Sequence, residues 1–116
     1  MKPTYYDNLP PTPHPDHEGM VEVERVYCID EDAFQGWEWD SIGNIYQSLP
    51  GEMRSAPGMC PMWFGSDEQS PPFLIASAEP SGVQVFGVLP LASWQAWDDA
   101  LRERFRAARI PFRVID

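Results

Sequence analysis

The residues best suited to chemistry in this sequence are carboxylates and tryptophans that share one short stretch, Ile29–Asn44. It contains five acidic residues, three aromatic residues and no basic residue. Tryptophan favours buried or interface positions, whereas a carboxylate resists burial unless it is paired. The mixture is typical of a surface that a partner protein covers. The predicted contact residues are Asp30, Glu31, Asp32, Trp37, Glu38, Trp39 and Asp40.

Three of these residues also carry a competing structural prediction. Asp40, or Ser41 beside it, is a suitable N-cap for a helix that follows. Trp37 and Trp39 would face opposite sides of an extended chain, so we expect one of them in the core. The narrower prediction is a surface of four carboxylates with one tryptophan beside them. Those carboxylates are Asp30, Glu31, Asp32 and Glu38.

Nucleophilic catalysis of the Ser–His or Cys–His type requires a histidine held beside the nucleophile. Both histidines, His14 and His17, lie in a proline-rich N-terminal segment, which argues against either arrangement. The single lysine, Lys2, leaves no glycine-rich phosphate loop. We therefore predict no catalytic residue and no cofactor. A pair among the 18 carboxylates remains open as an acid–base or metal-dependent site.

A weak metal site at His14 and His17, with Asp16 and Glu18 as further ligands, is a second possibility in the N-terminal segment. A metal site requires three or four ligands held in place, and a proline-rich arm holds none of them. We therefore expect a solvated polar segment here and no bound metal.

The charge of the chain is strongly negative and unevenly distributed. Its 8 basic and 18 acidic residues give a net charge of −10. Between Asp16 and Asp40 only Arg25 is basic. Such a field repels nucleic acid and anionic membranes and attracts a basic protein, although it also serves solubility alone. We predict a basic protein partner, with neither nucleic acid nor a membrane.

The N-terminus has no apolar signal core, and no run approaches the length of a membrane span. Nothing besides Cys28 and Cys60 suggests an oxidising compartment, so we expect two free thiols that act as small buried hydrophobic groups. A cytoplasmic location is the resulting prediction.

The pattern of apolar residues predicts a proline-rich extended arm over residues 1–19 and a single α+β domain over residues 20–116. Alternation over Met20–Asp30 predicts a half-buried strand, with Arg25 as the exception on its inner face. A short helix that ends at Pro50 follows. Met59–Phe64 contains Pro61 and is predicted as an edge strand.

Two apolar strands, Phe73–Ala78 and Val83–Val88, flank a turn-forming tetrapeptide and predict a β-hairpin. Because both strands are apolar at nearly every residue, we expect cover on both faces, or a helix on one and a partner on the other. Leu91–Arg109 has one narrow apolar stripe and predicts a long amphipathic helix. Pro111–Ile115 is predicted as a closing strand.

These elements predict an α+β fold with the order β-α-β-β-β-α-β. The sheet is expected to be mixed or antiparallel with about five strands, and the long C-terminal helix is expected to pack on one face. The arginines of that helix and Arg113 are expected either in solvent or paired with the acidic stretch. The helix arginines are Arg102, Arg104, Arg106 and Arg109.

Two C-terminal segments, W-D-D-A-L at residues 97–101 and F-R-A-A-R-I-P-F-R-V-I at residues 105–115, resemble the barstar family. The likeness is to the helices and the closing helix-to-strand ending of that family, and it covers about the last quarter of the chain. Barstar-like proteins are immunity proteins that mask the basic active site of a bacterial toxin with carboxylates and aromatic residues. The resemblance implies a related role, although no binding residue carries over by alignment.

The leading hypothesis is an immunity-type inhibitor that binds a cognate toxin, or another basic protein, as a 1:1 heterodimer. The alternative is a non-enzymatic adaptor or regulatory subunit whose partner pairs with an exposed strand, either near Pro61 or at the C-terminus. A carboxylate-dependent enzyme is the third hypothesis.

Overall fold

The computed structural model describes residues 4–53 and 59–114 and has an α+β fold. Within these residues, one six-stranded antiparallel sheet has the strand order β1-β2-β6-β5-β4-β3. This confirms the predicted fold class, with one strand more than expected. The elements are β1 (Tyr5–Pro13), β2 (Val21–Tyr27), α1 (Glu38–Ser48), β3 (Glu52–Met53), β4 (Met62–Trp63), β5 (Phe73–Glu79), β6 (Gly82–Leu89) and α2 (Leu91–Ala107).

The centre of the sheet is the β5–β6 hairpin with β2 along its other side. The hairpin pairs from Phe73 opposite Val88 to Glu79 opposite Gly82, which confirms the prediction. β2 pairs with β6 over its whole length without a register shift. Long, regular pairing suits these strands because their β-branched and aromatic residues pack well on a pleated surface.

Both helices contribute to one core on a single face of the sheet. The predicted stripe of α2 is buried, with Trp94, Trp97, Leu101 and Phe105 all at most 3% exposed. Trp97 meets Trp63 of β4 edge to face, with ring centroids 5.0 Å apart. The helix therefore packs on the sheet as its 3.6-residue period predicts.

The N-terminal segment is extended, as the proline content predicts, and it is paired. Residues 5–13 form β1 along the free edge of β2, with irregularities in register around Leu9. Proline has no N–H group, so Pro10, Pro11 and Pro13 are tolerated only at such an edge. Residues 5–13 of the predicted arm are thus a strand of the same sheet.

The predicted closing strand at Pro111–Ile115 is wrong as a full strand; Ile115 lies outside the described residues. Phe112 makes one isolated bridge with Ile29. Arg113 N–H donates to the carbonyl of Cys28 at 2.8 Å. Because β6 begins opposite Tyr27, this segment occupies only the short space beside the end of β2.

The predicted edge strand at Met59–Phe64 is also shorter than expected and is not at the edge. β4 covers two residues, and β3 lies outside it, with Glu52 opposite Trp63. Pro61 stays outside the ladder, although its carbonyl accepts a hydrogen bond from Ala76 N–H at 3.1 Å. A strand of two residues, such as β3 or β4, contains too few positions for an alternating pattern to show in the sequence.

Candidate functional site

The acidic and aromatic residues follow β2 at the point where the chain leaves the sheet for α1. Asp30 N–H donates to the carbonyl of Pro111 at 2.8 Å, which ties the beginning of this connection to the C-terminal segment. Glu31–Ala33 forms a short 3-10 turn. Phe34 then packs against the core and meets Trp39 edge to face at 5.5 Å. The connection is therefore anchored at both ends.

Glu38 occupies the first residue of α1 and is buried, with 2% of its surface exposed. Its Oε1 accepts hydrogen bonds from the N–H groups of Gln35 at 2.8 Å and Gly36 at 3.0 Å. Its Oε2 accepts a second bond from Gln35 N–H at 2.9 Å. Because the buried Glu38 carboxylate is bound to the backbone of its own loop, it is not available to a partner. Glu38 is therefore removed from the predicted contact residues.

The pKa of Glu38 reflects the same contacts. Burial alone raises the pKa of a carboxyl group. The backbone N–H groups of Gln35, Gly36 and the start of α1 outweigh this effect and lower the pKa of Glu38 below its usual value. The side chain is therefore a charged structural anchor of the connection.

Trp37 and Trp39 flank this buried glutamate and are both exposed, at 45% and 41%. The prediction that one of them lies in the core is wrong. Trp37 is the N-cap of α1, and its side chain makes no capping bond, so the predicted cap at Asp40 or Ser41 is wrong as well. The helix begins at Glu38, earlier than expected, and the Glu38 side chain binds N–H groups of the loop that precedes it.

The remaining predicted carboxylates belong to the same connection or to the first turn of α1. Glu31, Asp32 and Asp40 are exposed and Asp30 is half-buried. Within residues 4–53 and 59–114, no ion pair joins any of them to a basic group. We call this set the acidic tryptophan surface, and its members are Asp30, Glu31, Asp32, Trp37, Trp39 and Asp40.

Four of the five arginines that were alternative partners for these carboxylates have other contacts. In the described part of the chain they bind acidic residues of their own helix or backbone carbonyl groups. The contacts are Arg102 with Asp98 and Asp99, Arg106 with Glu103, Arg104 with the Ser48 carbonyl, and Arg113 with the Ser81 carbonyl. The described helix arginines leave the acidic tryptophan surface unneutralised.

A buried charged cluster that was not predicted joins β1, β2 and α2. Arg25 donates to Asp7 at 2.6 Å and to Asp98 at 2.8 Å. Tyr27 O–H also donates to Asp98, at 2.7 Å. Although burial disfavours its charged form, these carboxylates raise the pKa of Arg25 above its ordinary value. The detectable signal was an arginine on the inner face of the predicted strand.

The same guanidinium group lies between two aromatic rings. Its central carbon is 3.8 Å from the ring centroid of Tyr5 and 5.1 Å from that of Trp94. Because every charge in this cluster has a partner, it attaches β1 to the body of the protein and offers no group for chemistry.

A groove of about 630 Å³ lies at the other edge of the sheet, along β3 and β4. Tyr46, Met53, Met62 and Trp63 line it. Burial raises the pKa of Tyr46 above its ordinary value, which keeps the phenol neutral. Within the described residues, no group of three or more His, Cys, Asp or Glu side chains is arranged to hold a metal ion.

The fold and the acidic tryptophan surface together define an α+β protein with an open antiparallel sheet and an anchored acidic loop at one end. Comparison of the chain with protein-family models, with curated proteins and with solved structures found no match. No helix in the described ranges is both long and apolar enough to cross a membrane.

Proposed function

We propose that this protein is an immunity-type inhibitor that binds and neutralises a cognate bacterial toxin enzyme in the cytoplasm. The acidic tryptophan surface is the contact region, and the complex is a 1:1 heterodimer. The observation that supports this proposal is the exposure of Trp37 and Trp39 beside carboxylates that lack a basic partner in the described chain.

The energetics of interfaces favour this surface as a binding site. Tryptophan is enriched among the residues that dominate interface energy. A tryptophan side chain also loses little conformational entropy on binding, because it has few rotatable bonds. Removing one partner of a buried charge pair at an interface costs about 2–5 kcal/mol. A basic toxin site would supply the arginine or lysine groups that these carboxylates lack.

The anchoring of the connection supports tight binding. Glu38, the packing of Phe34 and the bridge between Ile29 and Phe112 hold the backbone in one conformation before any partner arrives. A preorganised surface avoids the entropy cost of ordering a loop on association. High affinity is what an inhibitor of a toxin requires.

The test is co-purification with the product of the adjacent gene, followed by calorimetry with charge-reversed variants. We expect Asp30→Lys, Asp32→Lys and Asp40→Lys each to weaken the complex by about 2 kcal/mol or more. Trp37→Ala should weaken it similarly without altering the free energy of unfolding. Glu18→Lys is the matched control, since it changes the net charge equally at an exposed site in the turn between β1 and β2.

Survival of a tight complex in the variant that combines all three reversals would exclude this surface. The proposed role as an immunity protein can also be tested genetically in the cell. If the protein is an immunity protein, deletion of its gene should be tolerated only when the neighbouring gene is deleted as well.

A second candidate function is an adaptor whose partner adds a strand at β3. The groove along β3 and β4 favours it, because Met53 is exposed beside a free sheet edge in the described chain. For an adaptor we expect the single deletion to be viable. Binding would then be unchanged by the three charge reversals and lost on Met53→Asp.

A further inference from the structure

The face of the sheet opposite the helices carries a second groove, of about 480 Å³. Its floor is apolar and contains Phe73, Phe86 and Val88. Its rim is acidic, with Glu22 and Glu24 on β2 and a third carboxylate on the loop before β5. That third residue is Glu68. None of these residues belongs to the acidic tryptophan surface.

The strand register explains how an acidic rim and an apolar floor come together. Val21 and Val23 belong to the core, so Glu22 and Glu24 must face the other side of the sheet. Across the ladder, Glu22 is opposite Val88 and Glu24 is opposite Phe86. Cross-strand neighbours have Cβ atoms about 5 Å apart. Each carboxylate therefore stands directly beside an apolar side chain of β6.

The row continues into the next strand, because Val88 is opposite Phe73 and Phe86 is opposite Ile75. The Phe73 and Phe86 rings meet edge to face, with centroids 6.2 Å apart. Phe86 is half-buried and Phe73 is buried, with 5% of its surface exposed. The groove thus presents the accessible part of the Phe86 ring beside the carboxylates of its rim.

The charge of the groove has no internal counterpart in the described ranges. No arginine or lysine lines it, and none of its three carboxylates forms an ion pair with a described basic residue. Its lining also includes His14 and His17, whose ring centroids are 4.8 Å apart. A ligand that combines cationic groups with apolar stems would complement both the rim and the floor.

We propose that this groove binds an extended, arginine-containing segment of a partner protein. Arginine lays its apolar stem along hydrophobic surface and keeps its charged end at a polar edge, which matches a floor of Phe86 and Val88 beside Glu22 and Glu24. The guanidinium group also pairs with a carboxylate through two hydrogen bonds and stacks on aromatic rings. Lysine offers the charge without the planar fork.

The groove is separate from the acidic tryptophan surface. Glu24 lies within β2, whereas Asp30 lies beyond the tight turn that the hydrogen bond from Ile29 N–H to the Tyr27 carbonyl closes at 2.9 Å. Glu24 lies on the helix-free face, whereas Asp30 follows the far end of β2. The inference therefore does not depend on the proposed function.

The experiment is an NMR titration of the full chain with the capped peptide acetyl-Arg-Leu-Arg-Leu-Arg-amide. We expect saturable amide shifts at Glu24, Phe86 and Gly87. The same peptide with citrulline at each arginine position keeps the shape of the side chains and loses their charge. Its affinity should be lower by a factor of about ten or more. Equal affinity of the two peptides would overturn the proposal.

The matched variants separate the two acidic regions. Glu22→Gln combined with Glu24→Gln and Glu68→Gln should weaken peptide binding about tenfold, while Asp30→Asn with Asp32→Asn should leave it unchanged. The reverse result would assign basic segments to the acidic tryptophan surface and exclude the groove. Self-association of the free protein that the groove variant abolishes would also overturn the proposal, since a second copy would then be the occupant.

Discussion

Glu38 shows at the residue scale how a buried carboxylate supports an exposed surface. It accepts three backbone hydrogen bonds from the chain before α1, and its neighbours in the chain, Trp37 and Trp39, are both exposed. A surface that must meet a partner benefits from a rigid base. In this protein Glu38 contributes to that base together with the packing of Phe34 and the bridge between Ile29 and Phe112.

We expect Glu38→Gln to lower the urea midpoint of unfolding at neutral pH, because an amide has one acceptor oxygen and no charge. The folded state lowers the pKa of Glu38. Its stabilising contribution is therefore complete above the unfolded-state pKa of about 4.3, and it is lost as the pH falls through the lower folded-state pKa. The midpoints of the two proteins should converge in acid.

Glu31→Gln is the control for this prediction, because Glu31 is an exposed glutamate of the same connection and its side chain makes no hydrogen bond with a described residue. Its midpoint should match that of the unmodified protein at every pH. Identical neutral-pH midpoints for Glu38→Gln and the unmodified chain would show that Glu38 is not an anchor.

Gly82 is a second residue whose replacement has a definite expected cost. It begins β6 with φ at +138°, and an added Cβ would lie 2.2 Å from the carbonyl oxygen of Tyr27. Backbone strain alone should make Gly82→Ala lower the free energy of unfolding by about 1–3 kcal/mol. The clash with the Tyr27 carbonyl should add to this loss. Thermal or urea unfolding measures the change.

Gly43 provides the opposite case inside α1. An added Cβ there has no neighbour within 4 Å among the described atoms. Alanine has the higher helix propensity, so Gly43→Ala should stabilise the protein by about 0.5–1 kcal/mol. Equal effects of the two glycine substitutions would contradict the geometry described for Gly82.

At the scale of elements, β1 is attached to the protein by side chains as well as by its ladder. Most of its residues are exposed, and its pairing with β2 is irregular. Arg25 compensates by joining Asp7 of β1 to Asp98 of α2. One buried arginine therefore connects three elements of the fold.

Substitution at the two ends of this cluster should have unequal effects. Asp98→Asn leaves a buried arginine and a buried tyrosine without their shared acceptor charge, so we expect a loss of about 3–5 kcal/mol in the free energy of unfolding. Asp7 is more exposed, at 23% of its side chain against 8% for Asp98. Asp7→Asn should cost about 1–2 kcal/mol.

Hydrogen exchange distinguishes the two variants further. Asp7→Asn should accelerate exchange in β1 while the β5–β6 hairpin keeps its protection, because the hairpin does not contact that carboxylate. Uniform acceleration over the whole sheet would contradict the view that Asp7 acts locally.

At the scale of the whole molecule, the net charge of −10 acts on association. A negative protein and a basic partner attract each other over distances that salt screens. We expect the association rate constant with the proposed partner to fall about tenfold or more between low and high salt, while the dissociation rate changes much less. Stopped-flow measurements test this, and a salt-independent association rate would argue against a basic partner.

The best-predicted parts of the molecule are those with a local period. The stripe of Trp94, Trp97, Leu101 and Phe105 identified α2, and two apolar runs around a turn identified the β5–β6 hairpin. Both patterns lie within about twenty residues, so helix and strand geometry alone relate them to structure. The acidic and aromatic character of the candidate surface was also evident from residue types.

Some of the wrong predictions concern local geometry that does not repeat along the chain, and others concern contacts between distant segments. Glu38 is anchored by a loop conformation that no period encodes. Both tryptophans are exposed because Glu38 between them is the residue that faces the protein, and each neighbour is rotated about 100° from it around the start of α1. The closing segment forms one bridge because β6 begins opposite Tyr27, which leaves only a short space beside the end of β2.

The sequence by itself determined the α+β class, the long helix, the central hairpin and a concentration of acid around tryptophan. Only the tertiary structure decided which of those side chains are presented to solvent, that Arg25 pairs with Asp7 and Asp98, and that Glu22 and Glu24 stand beside Phe86 and Val88. The reason is physical. Local geometry depends on neighbours in the chain, whereas burial and charge pairing depend on neighbours in space.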